Sequence, residues 1–162
     1  MIVYQGSNQI IKNPQVSYSQ KYLDFGQGFY VTTFEGQAKK WALRKAKRYG
    51  GKPALNIYDF NEDFSTLNML NFANEDENWL DFVCACRNGE TLNSKYDLII
   101  GNVANDDVFK TVDMYFKGIW DKKRTIEELR YYKMNNQYCF TNQKTLDDFL
   151  TFKTAVSVEV EI

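Results

Sequence analysis

The sequence predicts an α+β fold, because segments with strand periodicity and segments with helix periodicity interleave along the chain without the regular spacing of βαβ units. The 162 residues are enough for one sizeable core, and no internal repeat, low-complexity tract or Pro/Gly/Ser linker divides them. We therefore expect a single domain over residues 1–162. Because it has no basic leader and no apolar run of about 18 residues, we expect a cytoplasmic protein that does not cross a membrane.

The first half of the chain predicts three strands and one helix. Short β-branched or aromatic runs predict strands at Ile2–Tyr4, Phe29–Thr32 and Pro53–Phe60. Apolar residues at a spacing of three to four predict a helix over Glu35–Tyr49, which two consecutive glycines would end.

The second half predicts more short elements, and each is supported by a capping residue or by hydrophobic periodicity. The predicted elements are a helix capped by Asn74 with Glu77 and buried through Trp79, Leu80, Val83 and Cys86; a strand Asp97–Ile100; a helix capped within 102–107 and buried through Phe109, Val112 and Phe116; a helix Thr125–Tyr132; a strand Gln137–Thr141; a helix Thr145–Phe152; and a strand Val156–Ile162.

Composition excludes several kinds of chemistry. The chain has no histidine, so general base catalysis by histidine, Ser-His triads and most zinc sites are excluded, and we expect no metal cofactor. Three cysteines, an odd number without framework spacing, predict reduced thiols. The net charge of -1 means that a basic surface must be local.

One such surface is predicted on the first helix, since no acidic residue lies between Gly36 and Lys52 and the basic face runs from Lys39 to Lys52. Two interpretations stay open. The face is either an ordinary solvated helix surface or a surface for phosphate groups, whether of a nucleotide or of a nucleic acid.

The segment Phe25–Thr33, with sequence FGQGFYVTT, combines a glycine turn with an aromatic strand. Its glycines permit a tight turn and a close backbone approach to a ligand. The rings of Phe29, Tyr30 and Trp41, the last lying eleven residues after Tyr30, offer flat faces to a planar ligand. Packing of these rings in a core is the alternative interpretation.

Three segments together resemble the ADP-ribosyltransferases of the diphtheria toxin and poly(ADP-ribose) polymerase type. They are Tyr4-Gln5-Gly6-Ser7, the FGQGFYVTT segment with Trp41, and Asn135 to Phe140, with sequence NNQYCF. The corresponding family pattern is a His-Gly-Ser/Thr strand, a Gly-x-Gly-aromatic-Tyr strand with a second aromatic eleven residues later, and a glutamate on a later strand. The chain also resembles a small bacterial set in which the same three segments recur.

The resemblance implies split, bent antiparallel β-sheets with surrounding helices and NAD, the substrate, in the cleft between them. Gly6 would bind the nicotinamide carboxamide through its backbone, and Tyr30 and Trp41 would enclose the nicotinamide ring. The residues implied to bind NAD are Gln5, Gly6, Ser7, Gly28, Phe29, Tyr30 and Trp41, and the implied catalytic residues are Gln137, Tyr30 and Gln5.

The chain departs from the family pattern at two positions. Gln5 replaces the histidine that binds a ribose hydroxyl, and Gln137 replaces the glutamate that stabilises positive charge on the ribose. Glu159-x-Glu161 resembles the paired glutamates of the arginine-modifying branch, but the early arginine and the Ser-Thr-Ser strand of that branch are missing.

Two principal functions follow from the resemblance. One is a toxin-like mono-ADP-ribosyltransferase that transfers ADP-ribose from NAD to a protein or nucleic-acid acceptor, with an antitoxin or regulatory partner. The other is an inactive NAD- or ADP-ribose-binding regulatory module, in which a Gln137→Glu change would restore activity. A nucleic-acid binder that uses the Lys39 to Lys52 face is a third interpretation.

Overall fold

The computed structural model describes residues 1–19, 23–74, 76–133 and 135–159 of the chain. These residues form an α+β fold of two β-sheets with helices on the outer faces. The strands are β1 Ile2–Ser7, β2 Phe29–Val31, β3 Ala54–Phe60, β4 Met69–Asn71, β5 Leu98–Asn102, β6 Asn136–Phe140 and β7 Leu150–Ser157. The helices are α1 Glu35–Tyr49, α2 Glu77–Arg87, α3 Asp106–Phe116, α4 Lys122–Leu129 and α5 Gln143–Phe149.

The first sheet, sheet A, has the strand order β1-β3-β7, and the second, sheet B, has the order β2-β6-β5-β4. Every pairing within the sheets is antiparallel except that of β4 with β5, which is parallel. The expectation of wholly antiparallel sheets is therefore wrong for this pair. Its physical reason is that α2 forms the crossover connection that parallel neighbours require.

Apolar side chains are buried in three layers. The central layer lies between the facing sides of the two sheets and contains Val3, Val31 and Tyr58. A second layer joins the outer face of sheet B to α2, α3 and α4, and a third joins the outer face of sheet A to α1. Because side chains alternate along a strand, each sheet contributes to two layers.

The helix α1 has the bounds that the sequence predicts, and Gly50 ends it with φ 80. Ala38 and Ala42 are fully buried on its inner face. The hydrogen bond from the Gly50 N–H to the Ala46 carbonyl satisfies one of the last carbonyls of the helix. A glycine is favoured there because a residue with a side chain rarely adopts this positive φ.

Three helix predictions need correction at their termini or faces. Asp76, not Asn74, caps α2 by accepting a bond from the Trp79 N–H, and α4 begins at Lys122 behind the cap Asp121, not at Thr125. On α3, whose predicted cap within 102–107 is Asn105, the buried apolar residues are Val108 and Val112. Phe109 and Phe116 are instead exposed, since sheet B packs against a neighbouring stripe of the same helix.

The carboxyl-terminal prediction is also wrong in its bounds. The helix α5 ends at Phe149, and the last strand begins at Leu150 and not at Val156. Leu150 and Phe152 face the central layer, so the strand is fixed by residues that precede the alternating valines. The predicted positions 160–162 lie outside the described residues.

Candidate functional site

The two sheets meet where β1 approaches β2 and then diverge. The Tyr4 N–H donates to the Thr32 carbonyl at 2.8 Å, and the Thr32 N–H donates to the Tyr4 carbonyl at 2.9 Å. This isolated antiparallel bridge is the one backbone contact recorded between β1 and the β2 segment in the described residues. If the register continued by two residues, Gly6 would lie opposite Tyr30. No hydrogen bond between Gly6 and Tyr30 is recorded in the described residues, so the pairing ends at this bridge; we call the region between these two positions the gap.

The backbone of Gly6 is directed into this gap. Neighbouring residues of an antiparallel strand direct their N–H and C=O groups alternately to the two sides. Tyr4 directs both groups at Thr32 and away from β3, and Gly6, two residues later on the same regular strand, does the same. One amide donor and one carbonyl acceptor therefore face the gap, which is the complement of a carboxamide.

Only glycine fits at this position of β1. A Cβ atom on Gly6 would lie 1.8 Å from the Ala38 carbonyl oxygen and 2.6 Å from the Ala42 nitrogen, both of which are backbone atoms of α1. The helix therefore packs directly on the strand. The contact holds the strand and α1 in one fixed relation, since no flexible side chain separates them.

Tyr30 lies on the outer face of sheet B, beside Cys139 of β6. Its hydroxyl donates to the Gly26 carbonyl at 2.5 Å and accepts from the Phe25 N–H at 3.0 Å. Burial and the neighbouring Cys139 and Asp24 raise the pKa of Tyr30 well above its ordinary value, so the phenol stays protonated and can donate. Phe25 stacks on the ring with 6.5 Å between centroids, and the ring packs against the apolar cluster on the outer face of sheet B.

Trp41 lies on α1, one residue before Ala42, and is half-buried in the layer that also contains Tyr4. Its ring is on the α1 side of sheet A, whereas the ring of Tyr30 is on the outer side of sheet B. The two rings therefore belong to different layers, with Gly6 at the divergence between them. Whether they enclose a ligand ring stays a prediction.

Two other predicted residues are packing residues in this arrangement. Phe29 is 4% exposed and meets Tyr58 edge-on in the central layer, so its ring is not a free face for a ligand. A Cβ on Gly28 would lie 2.5 Å from both the Cys139 sulfur and the Phe140 carbonyl oxygen, so this glycine permits β2 to approach β6.

The side chains of Gln5 and Ser7 point to the side of β1 opposite α1, because they alternate with Gly6. Both are buried, and the Gln5 Oε1 accepts from Asn56 Nδ2 at 3.0 Å. Asn56 also bonds to the loop after β1, at the Gln9 carbonyl and the Ile11 N–H. The amide oxygen of Gln5 is thus occupied, and its amide nitrogen remains as the donor.

Gln137 lies next to Tyr30 on the outer face of sheet B and is 3% exposed. Its Nε2 donates to Asp24 Oδ2 at 3.0 Å and to the Asn102 carbonyl at 3.3 Å. In the described residues no buried side-chain nitrogen or oxygen lacks a partner. No bond to the Gln137 Oε1 is recorded in the described residues, so the residue offers an acceptor and not a charge.

Asp24 is the functional candidate that sequence reasoning missed. It is 7% exposed and receives bonds from the Arg87 guanidinium, from the Ala104 N–H at 2.9 Å and from Gln137. Arg87 neutralises the carboxylate and also stacks over the Phe109 ring at 3.9 Å. Its partners lie 63 to 113 residues away in sequence, so no local motif indicates this cluster.

Two surface cavities of the described residues lie elsewhere. One of about 190 Å³ is lined by residues of α2 and α3, including Arg87 and Phe109. The other, of about 370 Å³, is lined by residues 9–13 and Tyr18. Over the described ranges, no three Cys, Asp or Glu side chains come together as metal ligands, and none of the helices is both long and apolar enough to cross a membrane.

Comparisons with known proteins identify the family to which the chain belongs. No curated protein matches the sequence. A family model described as "Protein of unknown function (DUF3990)" matches residues 1–152, which include β1, the glycine turn, α1 and β6. The match covers nearly the whole chain, and the protein therefore belongs to the DUF3990 family.

Proposed function

We propose that this protein is an NAD-dependent mono-ADP-ribosyltransferase of toxin-like type, acting on a macromolecular acceptor. The observation that carries the proposal is the backbone of Gly6, whose free N–H and C=O directions point into the gap opposite Tyr30. A carboxamide is recognised by one donor and one acceptor at fixed spacing, which a strand backbone supplies.

The neighbouring groups fit the rest of NAD. Tyr30 is the position of β2 opposite Gly6, Trp41 lies on the helix that packs on Gly6, and a pyridinium cation is attracted to the faces of aromatic rings. The Oε1 of Gln137, on the same face of sheet B as Tyr30, would accept a hydrogen bond from a ribose hydroxyl. Gln5 would contribute a donor through its Nε2.

The reaction breaks the bond between C1′ of the ribose and the nicotinamide nitrogen, and nicotinamide leaves with the electron pair. The positive charge that develops on the ribose is then quenched by a nucleophilic oxygen or nitrogen of the acceptor. Any proton on that atom passes to water. The side chains at the site hold the ring and the ribose, and exclude water from C1′ before the acceptor arrives.

The rate is expected to be low, because Gln137 carries no charge to stabilise the developing cation. The loss of one such electrostatic contact costs about 2.7 to 4 kcal/mol, or roughly two to three decades in rate. Asp24 does not replace the missing charge, since Arg87 neutralises it.

The test is the release of nicotinamide from NAD, alone and with cell extract. Wild type should release nicotinamide, Tyr30→Ala should abolish release, and Tyr131→Ala should not change it. Tyr131 is the matched control because its side chain is 84% exposed. Absence of release with every extract, in a preparation that binds NAD, would contradict the proposal.

A second function is favoured by the cluster of Asp24 and Gln137. A site whose buried acid, Asp24, is neutralised and whose amide is fixed by two acceptors is suited to hold NAD or ADP-ribose without cleaving it. Such a regulatory module would show thermal stabilisation by NAD with no release of nicotinamide. Turnover by the wild type excludes it.

A further inference from the structure

The outer face of α1 concentrates positive charge on a protein that is otherwise acidic. Residues 35–52 contain seven basic residues and one acidic residue, whereas the whole chain has a net charge of -1. The remainder of the chain therefore carries a net negative charge. Such a separation of charge directs a polyanion to one surface and not to the rest of the protein.

Four basic side chains of this face, which we call the α1 basic row, are Lys40, Lys47 and Arg48 on the helix and Lys52 just after its end. All four are exposed. In the described residues no acidic side chain lies within ion-pair distance of them; the one acid of α1, Glu35, pairs with Lys39 at 3.8 Å. From Lys40 to Arg48 the helix rises about 12 Å, at about 1.5 Å per residue.

Two exposed aromatic side chains flank the α1 basic row. Phe34, just before α1, is 42% exposed, and Tyr49, at its end, is 56% exposed with Arg48 stacked at 5.3 Å from the ring centroid. Surfaces that bind single-stranded nucleic acid combine basic side chains with exposed rings, because the cations bind phosphates and the rings stack on bases.

A membrane surface fits this face less well. A helix that binds a bilayer inserts its apolar side between the lipids. The apolar side of α1, at Ala38 and Ala42, is fully buried against β1 and is not available.

We propose that the α1 basic row binds single-stranded nucleic acid and that this strand is the ADP-ribose acceptor. The second part rests on the proposed function. Lys40 directly precedes Trp41, whose ring packs between α1 and sheet A, so the row is on the same helix whose inner side contacts Gly6. An acceptor atom of the strand would then attack C1′ of the ribose as nicotinamide leaves.

The binding test uses fluorescence anisotropy of the full chain with labelled single-stranded DNA and RNA of about 20 nucleotides, at about 50 and 200 mM salt. The test variant is Lys40→Gln, Lys47→Gln, Arg48→Gln. The matched control is Lys110→Gln, Lys123→Gln, Arg130→Gln, which removes the same charges from exposed positions of α3 and the α4 region. Glutamine is a good helix former, so both variants should fold, and circular dichroism checks this.

Wild type and control should bind with equal affinity. The test variant should bind about tenfold more weakly or worse at low salt, with a salt slope smaller by about two, from roughly 0.7 for each of three phosphate contacts. Equal binding by the two variants, or binding to vesicles with anionic lipid but not to either oligonucleotide, would overturn the inference.

Nucleic-acid binding by the α1 basic row and the acceptor role of the bound strand can be refuted independently of each other. NAD binding and nicotinamide release without an acceptor should be unchanged in the test variant, because no residue of the α1 basic row lies in the gap. The acceptor role is measured as a mass increase of the oligonucleotide after incubation with NAD. The acceptor role would be refuted if the oligonucleotide binds through the α1 basic row and nicotinamide is released, but the oligonucleotide gains no mass. The proposed function would be refuted if the protein neither binds nor cleaves NAD.

Discussion

Replacing Gln137 by glutamate is expected to destabilise the protein, even though the family pattern has glutamate at this position. The Nε2 of Gln137 lies 3.0 Å from Asp24 Oδ2, and glutamate would place a second carboxylate oxygen there. Two unit charges at this separation repel by about 5.5 kcal/mol at an effective dielectric constant of about 20. This repulsion argues against the expectation that Gln137→Glu restores activity by itself.

Protonation of the carboxyl group that Gln137→Glu introduces limits the loss of stability. Holding a glutamate with an ordinary pKa of about 4.3 protonated near pH 7 costs about 3.7 kcal/mol, at about 1.36 kcal/mol per pH unit. This is less than the repulsion by about 1.8 kcal/mol, so the protonated form is favoured as long as Arg87, bonded to the other oxygen of Asp24, offsets less than that difference. We therefore expect the carboxyl group that Gln137→Glu introduces to be protonated in the native state, with a loss of about 3 kcal/mol in the free energy of unfolding near neutral pH.

The pH dependence distinguishes this cause from simple loss of a bond. The raised pKa of the new carboxyl means that stability is present below about pH 4.3 and is lost as pH rises towards the native-state pKa. Gln137→Met removes the same bond to a charged group without adding an acid, and should cost about 1.5 to 3 kcal/mol at every pH in this range.

The assay is urea unfolding followed by tryptophan fluorescence at several pH values from about 5 to 7, for both variants and wild type. The difference between Gln137→Glu and Gln137→Met should change with pH by roughly 1 kcal/mol per unit. A Gln137→Glu protein as stable as wild type near neutral pH, or one whose loss is independent of pH, would refute the argument from Asp24.

Two further predictions concern packing and thiol chemistry. Gly6→Ala should lower the free energy of unfolding by about 3 kcal/mol or more, because the new Cβ meets the backbone of α1. The control Gly36→Ala, whose Cβ would have nothing within 4 Å, should be neutral or stabilise the protein by up to about 1 kcal/mol. Equal effects of the two changes in chemical unfolding would contradict the close contact. Burial raises the pKa of Cys84 to about 11 and that of Cys86 to about 12, and it also raises the pKa of Cys139. A thiol reagent near neutral pH should therefore react slowly with the native protein, whereas after denaturation it should label all three thiols. Rapid labelling of all three thiols in the native protein would contradict this prediction.

The sequence was sufficient to predict the elements whose signals are local. The helix α1 has an amphipathic pattern and two glycines at its end, and the structure confirms both of its bounds. The start of α4 was not predicted, since the cap Asp121 lies in a charged segment where an aspartate is not distinctive. The start of β7 was missed because Leu150 and Phe152 also fit a continuing helix, and only the central layer decides between the two.

Some residues of the candidate site could likewise be predicted from local sequence signals, and others could not. The glycine turn, Gly6 and Tyr30 could be singled out from spacing and residue type. The bond between Asp24 and Gln137 could not, because it joins a loop to a strand 113 residues later. A lone aspartate before a glycine turn is ordinarily a turn residue, and its burial by Arg87 is a property of the tertiary structure.

The close contact between Gly6 and Ala38 couples the position of α1 rigidly to that of β1. The inner side of the helix touches the strand backbone through main-chain atoms, with no side chain to absorb a displacement. A load on the outer side of α1, such as a bound strand, is therefore transmitted to the N–H and C=O of Gly6. Occupancy of one side of a single helix would in this way adjust the width of the gap on the other.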